Sequence, residues 1–218
     1  MLIEAYRDLK YLLNRGYRKS VALNFVANHY KLGKEERHLL ARCVFSDSWI
    51  GEVKWKLLSP EGIKGRTLGI DGFNVLITLE SLLEGRAILC EDGLVRDLKY
   101  QGKYRVSGRT PELLAEIATA LGELGVEKAV VFYGKSTPRS GEVKRLTEEK
   151  LKEAGVFGEV RLVKSPDFEL KTFEIVATAD TGVIAKTIGV FDLPAYIGKK
   201  LGKTPLTFGE VLRRWGPN

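Results

Sequence analysis

The chain of 218 residues contains few of the side chains that bind soft metals or form disulfide frameworks. Its two cysteines are Cys43 and Cys90, and its two histidines are His29 and His38. Neither cysteine belongs to a CxxC pair, so a zinc site would require all four residues to converge. We therefore expect two reduced cysteines packed in apolar surroundings, and no zinc centre.

Long apolar runs are also missing. No stretch approaches the ~20 apolar residues that cross a bilayer, and charges interrupt the N-terminal segment, unlike the apolar core of a signal peptide. A hydrophobic fraction of 44% with 29% charged residues is typical of a folded protein. We predict a cytoplasmic protein with no membrane partner. A single methionine and a single glutamine beside abundant lysine, arginine and glutamate resemble the composition of a thermophile's protein.

The net charge of +7 is unevenly distributed along the chain. Residues 1–66 hold 13 lysines and arginines against 7 acidic residues, whereas residues 67–218 hold 22 against 21. A basic surplus in an appended segment favours an anionic partner, most often a nucleic acid. A solvated helical surface without any partner is the alternative, and the composition leaves both open.

The N-terminal part has apolar residues at helical spacing, which predicts helices over residues 3–16, 21–30 and 35–45. Residues 49–58 are predicted to be extended, and the Ser-Pro-Glu-Gly turn that follows marks a domain boundary. We therefore predict a basic helical domain at residues 1–60. It is either a helix-turn-helix-like reader of nucleic acid or a plain helical cap.

From Thr67 onward, short apolar segments alternate with helical patterns, which argues for βαβ units and a mostly parallel sheet. We predict an α/β domain at residues 66–197, with a mostly parallel central sheet flanked by helices. A C-terminal helical tail follows at residues 198–218. The strands of this domain are predicted at residues 67–71, 128–133, 160–163, 175–178 and 190–191, with a hairpin after residues 87–90.

Two of the predicted strands lead into an acidic residue. Asp71 lies in Thr-Leu-Gly-Ile-Asp-Gly-Phe-Asn, and Asp180 lies in Ile-Val-Ala-Thr-Ala-Asp-Thr-Gly. Ligands of open α/β sheets bind outside the carboxyl ends of the strands, so one sheet could bring these aspartates onto one divalent metal. Gly72 would allow a turn without a Cβ clash, and Asn74 would cap the following helix.

Further aspartates extend this pattern. Asp167 follows Ser-Pro in a loop that leads into a short helix, and Asp92 and Asp97 belong to the predicted hairpin. Carboxylates without histidine or cysteine suit Mg²⁺ or Mn²⁺, and such an ion can activate water and stabilise a phosphoryl displacement. Each acid also has a purely structural interpretation, since Asp71 and Asp180 can cap helices and Asp92 can form an Asp-Gly turn.

The segments Ile-Asp-Gly-Phe-Asn, Ser-Pro-Asp and Ala-Thr-Ala-Asp-Thr-Gly resemble the PIN-like superfamily and its NYN branch, which are small α/β nucleases, mostly of RNA. In this resemblance Asp71 matches the first acid, Asp167 the third and Asp180 the fourth. The second acid is either Asp92 or Asp97. The resemblance implies a Mg²⁺- or Mn²⁺-dependent endoribonuclease whose metal is held by Asp71, Asp167 and Asp180. The whole chain also resembles an archaeal family that joins a basic helical domain to a PIN-like part.

The resemblance and the basic residues together suggest how RNA would be held. Lys135 lies in Gly-Lys-Ser, but a phosphate-binding loop would need its first glycine at Ala129, inside a predicted strand, so we reject ATP binding there. Lysine and arginine near strand ends can instead bind a nucleic-acid backbone. The candidate nucleic-acid-binding residues are Asn74, which fits the Asp-x-x-Asn pattern of the NYN branch, and Arg96, Lys135, Arg139, Lys171, Arg37 and Arg42.

Two other functions compete with the nuclease. The first is a non-catalytic RNA-binding or ribosome-associated protein that kept the fold and lost part of the site. The second is a metal-dependent phosphatase, which is weaker because Ile-Asp-Gly-Phe-Asn lacks the second aspartate of an Asp-x-Asp nucleophile. A homodimer is compatible with the sequence.

Overall fold

The computed structural model describes residues 1–98 and 104–216, which contain twelve helices and eight strands. The helices are α1 (Leu2–Asn14), α2 (Lys19–His29), α3 (Lys34–Cys43), α4 (Asp47–Lys56), α5 (Pro60–Ile63), α6 (Gly72–Leu83), α7 (Thr110–Leu124), α8 (Ser140–Glu153), α9 (Pro166–Leu170), α10 (Thr181–Ile184), α11 (Leu193–Lys200) and α12 (Phe208–Trp215). The strands are β1 (Thr67–Asp71), β2 (Ala87–Leu89), β3 (Val95–Asp97), β4 (Lys128–Gly134), β5 (Gly158–Val163), β6 (Ile175–Ala177), β7 (Gly189–Val190) and β8 (Leu206–Thr207).

The central sheet has five strands in the order β5-β4-β1-β6-β7, and every neighbouring pair is parallel. This confirms the predicted α/β fold with a mostly parallel sheet. β1 lies in the middle, with Asp71 beside Phe132 of β4 and Ile70 beside Ala177 of β6. Because the strands run in one direction, the segments that follow them all emerge at one edge, which we call the carboxyl edge.

Both faces of this sheet are covered, as the continuous apolar strand at residues 128–133 predicts. Along β4, Val131 and Tyr133 pack in a large cluster with α6, α7 and α8. The alternate residues Val130 and Phe132 pack on the other face with Leu170 of α9 and with residues of β6 and α10. Side chains alternate across a strand, so a strand that is apolar at successive positions is buried on both sides.

The N-terminal helices agree with the three predicted ones, but a fourth was missed. Residues 49–58 are not extended, because α4 occupies most of this range. Ser46 begins the helix by accepting a hydrogen bond from the Trp49 N–H (3.3 Å). The aromatic and β-branched residues were misleading, since Val53 is the buried residue of α4 and Trp55 is 90% exposed.

A second sheet joins the helical region to the rest of the molecule. It has the order β3-β2-β8, and β2 and β3 form the predicted antiparallel hairpin. Ile88 of β2 and Phe208 of α12 share one apolar cluster with residues of α1, α2 and α3. In the same cluster, Cys43 and Cys90 form a disulfide. The expectation of two reduced cysteines was therefore wrong, because packing brings two distant segments together.

None of the helices in the described ranges combines the length and the apolar character that a bilayer crossing requires.

Candidate acidic site at the carboxyl edge of the sheet

Asp71 ends β1 and begins α6. Its Oδ1 accepts a hydrogen bond from the Asn74 N–H (3.4 Å), and its Oδ2 accepts one from the Thr178 hydroxyl (3.1 Å). Asp71 is thus the cap of α6, and the prediction that Asn74 caps this helix was wrong. The Asn74 side-chain oxygen instead accepts the Ala179 N–H (3.1 Å). These bonds fasten the segment after β6 to the end of β1.

Gly72 is needed for close packing. A Cβ at this position would lie 2.2 Å from Cε1 of Tyr133, so no other residue allows the ring to approach the first turn of α6 this closely. Gly72 is not one of the glycines with a positive φ angle in the described part of the chain. The backbone turn that we expected here therefore does not explain why glycine is needed. The Tyr133 ring is buried near Asp71, and its hydroxyl forms a hydrogen bond with the Thr147 hydroxyl.

Asp180 follows β6 and begins α10. Its Oδ1 accepts the Val183 N–H (2.9 Å), and its own N–H donates to the Thr178 hydroxyl (3.1 Å). Thr178 therefore connects Asp71 and Asp180 through a single hydroxyl. The helix that Asp180 caps ends at Ile184.

The third acid, Asp167, belongs to α9 and lies near Asp71 and Asp180. Leu170 of this short helix is fully buried and packs with Phe132, Val176 and Val183, so α9 crosses over the sheet and lies against α10. Asp167, one turn before Leu170, is an exposed residue at this crossing. No side chain or backbone N–H of another described residue donates a hydrogen bond to its carboxylate.

We call Asp71, Asp167 and Asp180 the edge trio. Burial raises the pKa of Asp71 to about 7, and the negative charges of Asp167 and Asp180 add to this shift. Partial burial raises the pKa of Asp167 as well, with the charge of Asp180 as the second cause and Lys171 opposing it. The three carboxylates are therefore close enough to repel one another. Among residues 1–98 and 104–216, however, no three histidine, cysteine or acidic side chains form a ready metal site.

Asp92 and Asp97, the two candidates for the second acid, are both engaged by arginine, and we call them the hairpin acids. The Asp92 carboxylate is fully buried and accepts two hydrogen bonds from Arg96 (2.6 and 2.7 Å). Asp97 accepts one from Arg42 (2.5 Å). Neither of these carboxylates is open to a metal in this structure, so the edge trio stands without the second acid that the resemblance implies.

Arg96 has a different role from the predicted one. It is 2% exposed, so its guanidinium cannot reach a nucleic acid on the surface. Besides Asp92, it donates to the Ala179 carbonyl (3.2 Å) and lies over the Phe45 ring at 4.9 Å. The helical region, which contributes Phe45, thereby supports the backbone directly before Asp180.

The other candidate RNA-binding residues fall into two groups. Lys135 and Lys171 are exposed, and Lys135 directly follows β4 at the carboxyl edge. The arginines are engaged in the fold: Arg139 pairs with Glu142 (2.7 Å), Arg37 donates to Asn28 (2.6 Å), and Arg42 pairs with Asp97. The two lysines are thus the better placed contacts at this edge.

Asp192 is a buried acid that the sequence reasoning missed. It follows β7, and its carboxylate accepts the Val95 N–H (2.7 Å) and the Ala195 N–H (2.9 Å). Burial raises its pKa to about 6, although these two hydrogen bonds oppose the shift. An aspartate two residues before Pro194 is a helix-start signal, which could have revealed its capping role.

Residues 60–196 match the family model described as domain of unknown function DUF5616, and residues 1–56 match the one described as protein of unknown function DUF434. The first match covers more than half of the chain. The chain belongs to the DUF5616 family. The uncharacterised protein MJ0935 of Methanocaldococcus jannaschii is 43% identical over 183 residues, which are 83% of this chain and 88% of the relative. No solved structure matches the chain.

The DUF5616 match contains the edge trio and the hairpin acids, whereas Phe45 and Trp49 lie in the DUF434 match. The similarity to MJ0935 extends over more residues than the DUF5616 range holds, so it includes sequence outside the α/β part. Neither family description names an activity, so a proposal about the reaction depends on the residues of the site.

Proposed function

We propose that this protein is a Mg²⁺- or Mn²⁺-dependent endoribonuclease whose reaction takes place at the edge trio. The observation that supports this most is the position of Asp71, Asp167 and Asp180 at the carboxyl edge, where ligands of open α/β sheets bind and where burial and the neighbouring acids raise the pKa of Asp71. Buried acids with a raised pKa that lie beside other acids occur frequently at functional sites.

The donor chemistry of the edge trio fits a hard cation. A carboxylate has about four lone-pair positions, and Asp71 receives only two hydrogen bonds from the described residues. Asp71, Asp167 and Asp180 would hold the ion through oxygen atoms alone, as Mg²⁺ and Mn²⁺ prefer. A bound ion would supply an activated water and charge stabilisation at the phosphodiester. The described residues do not form a ready metal site, so the carboxylates would have to rearrange when the ion binds.

The chain's own residues supply the orientation. Thr178 and the Asn74 N–H hold the Asp71 carboxylate, while Arg96 holds the Ala179 carbonyl next to Asp180. The exposed Lys135 and Lys171 would provide positive charge for phosphates of the bound RNA.

A cleavage assay tests this proposal. The purified full chain is incubated with labelled single-stranded and hairpin RNA in Mn²⁺ or in EDTA. We expect Mn²⁺-dependent cleavage that Asp71→Asn and Asp167→Asn reduce by about 100-fold or more, because even partners that only orient a metal ligand contribute about 10- to 100-fold. Glu174→Gln is the matched control, since this exposed acid pairs with Arg66 next to Thr67, at the opposite end of the sheet. RNA that stays intact, or cleavage that all variants retain, would refute the nuclease.

A second function, RNA binding without catalysis, is favoured by two observations. The edge trio is not a ready metal site in the described chain, and both hairpin acids are neutralised by arginine. This protein would bind RNA with a steep salt dependence, and saturating Mn²⁺ would leave its melting temperature unchanged. For the nuclease we expect stabilisation instead, by about 2.7 kcal/mol at a hundred times the dissociation constant of the ion.

We also infer a cytoplasmic protein of a thermophile. A disulfide buried in the core is rare in the cytoplasm of mesophiles, but intracellular proteins of hyperthermophiles are an exception. The composition, with its single methionine and glutamine, agrees with this inference.

A further inference from the structure

A cleft of about 400 Å³ lies between the helical region and the carboxyl edge. One wall comes from the turn before α2 and from residues before α4, and the other comes from the start of α10. Thr181 and Gly182 in this second wall directly follow Asp180, and consecutive Cα atoms are only about 3.8 Å apart. The cleft therefore opens beside the edge trio. Its lining includes Tyr17, Lys19, Ser46, Trp49, Thr181 and Gly182.

Lys19 is the charged residue of this lining. It is half-buried, and its Nζ lies 3.7 Å from the centre of the Phe45 ring. Lys19 forms no hydrogen bond or ion pair with any residue that the structure describes. On the same ring, Arg96 lies at 4.9 Å, so two cations share one aromatic residue.

The acids nearest to Lys19 are committed elsewhere. Asp92 is occupied by both terminal nitrogens of Arg96. Glu91 accepts hydrogen bonds from Tyr6 (2.7 Å), Lys10 (3.2 Å) and the Phe45 N–H (3.0 Å). Burial, followed by the positive charge of Arg96, lowers the pKa of Lys19 to about 7. A lysine without a counter-ion, held in a cleft, is best stabilised by an anion that enters from outside.

We propose that this cleft is an anion subsite, in which Lys19 binds a phosphate of an RNA chain next to the phosphate held at the edge trio. This rests on the proposed function, because the cleft opens where a strand bound at the trio would continue. Ser48 and Thr181 bring hydroxyl groups to the lining, and the 57% exposed Tyr17 offers a ring on which a neighbouring base can stack. The helical region would thereby take part in substrate binding.

RNA binding without cleavage tests the subsite. A labelled single-stranded RNA is titrated with the full chain in EDTA at several salt concentrations. Lys19→Met keeps most of the aliphatic stem and removes the charge. We expect it to weaken binding by about 10-fold and to reduce the slope of log K against log salt by about 0.7, the value for one phosphate contact on a single strand. Lys54→Met, at an exposed lysine of α4, is the control and should change binding less than about twofold.

The pH dependence of RNA affinity distinguishes a lysine that binds phosphate from a lysine that only stabilises the fold. Bound phosphate favours the charged form of Lys19, so wild-type affinity should fall by about tenfold between about pH 6.5 and 8.5. Lys19→Met should show no such fall, and Lys19→Arg should keep its affinity at the higher pH because arginine remains charged. Four charged groups face Lys19: Arg96, Asp92, Glu91 and Arg42. Because the wild type and both Lys19 variants share these groups, the difference in pH dependence between them reports the titration of Lys19 itself.

The outcomes separate this proposal from the nuclease. Binding in EDTA that depends on Lys19, together with RNA that stays intact in Mn²⁺, supports the subsite and refutes catalysis. Cleavage with unchanged RNA affinity and salt slope in Lys19→Met overturns the subsite alone. Inorganic phosphate and a nucleoside monophosphate serve as competitors, and if either competes as well as a short RNA, the cleft is a small-molecule site and the proposal fails.

Discussion

The edge trio and the hairpin acids are residues of the same chemical type in opposite electrostatic situations. Asp92 and Asp97 each have an arginine partner at hydrogen-bonding distance. Asp71 and Asp167 have raised pKa values because burial and neighbouring acids disfavour their charged forms. The contrast separates acids whose charge is matched by an arginine from acids whose charged form is disfavoured by burial and by neighbouring acids.

The same difference divides the basic residues of this region into two groups. The two arginines nearest the hairpin neutralise acids, and Arg96 additionally orders the backbone before Asp180. The lysines Lys19, Lys135 and Lys171 form no ion pair with any residue that the structure describes, so positive charge for a substrate would come from lysine.

Removing one hairpin acid should cost far more stability than removing one member of the trio. Asp92→Ala leaves the buried Arg96 guanidinium without its partner, which costs about 3 to 5 kcal/mol. Asp167→Ala, at an exposed position, should change the free energy of unfolding by less than about 0.5 kcal/mol. Urea denaturation of both variants measures this. Equal losses would show that the two groups of acids do not differ as we describe.

Asp71→Asn should stabilise the protein in a pH-dependent way. The pKa of Asp71 rises from 3.8 to about 7 on folding, so the native state binds more protons than the unfolded state between these values. The contribution of Asp71 to the free energy of unfolding of the wild type therefore falls as the pH rises from about 4 to about 7. The amide does not ionise, and the variant should be more stable by about 1 to 3 kcal/mol above pH 7, with little difference near pH 4.

Thermal melts of the wild type and of Asp71→Asn across this pH range provide the measurement. Glu174→Gln serves as the control, since no pH-dependent gain is expected from an exposed acid paired with an exposed arginine. A variant that is less stable than wild type at every pH would contradict the raised pKa.

The second hairpin pair should be weaker than the first. Arg42 is partly exposed and Asp97 is buried, so Arg42→Ala should cost about 1.5 to 3 kcal/mol, the range for a hydrogen bond to a charged group. Chemical denaturation measures the loss, and the comparison is Arg37→Ala in the same helix, at a partly exposed arginine whose partner is the uncharged Asn28. A larger loss for Arg37→Ala would reverse the expected order.

The smallest effect concerns Lys171. Its positive charge opposes the raised pKa of Asp167, so Lys171→Ala should raise that pKa further. Stability should change by less than about 0.5 kcal/mol because the lysine is exposed. Carboxyl NMR titration reports the pKa directly. An unchanged or lowered pKa of Asp167 would show that Lys171 does not face the edge trio.

The sequence was informative wherever local patterns decide structure. The continuous apolar run at residues 128–133 became β4. The same reasoning failed for α4, where the segment that was predicted to be extended is a helix that begins at the Ser46 cap. Periodicity shows which residues are apolar, but the surroundings decide which of them are buried.

The candidate site was predictable only in part. Strand ends in a parallel sheet converge, so the sequence alone brought Asp71 and Asp180 to one edge. It did not reveal that Arg96 is buried against Asp92, because a hairpin arginine looks the same on a surface and in a core. Nor did it pair Cys43 with Cys90, since their contact arises from the packing of α3 against the end of β2.

Local patterns in the amino-acid sequence specify most of the strands and helices, the basic surplus of the first 66 residues and the positions of the acids at strand ends. Which acids have cationic partners depends on the tertiary structure. Arg42 meets Asp97 across 55 residues, and Thr178 meets Asp71 across 107. Such contacts depend on how distant elements pack, and burial then sets the cost of each charge, which no local pattern encodes.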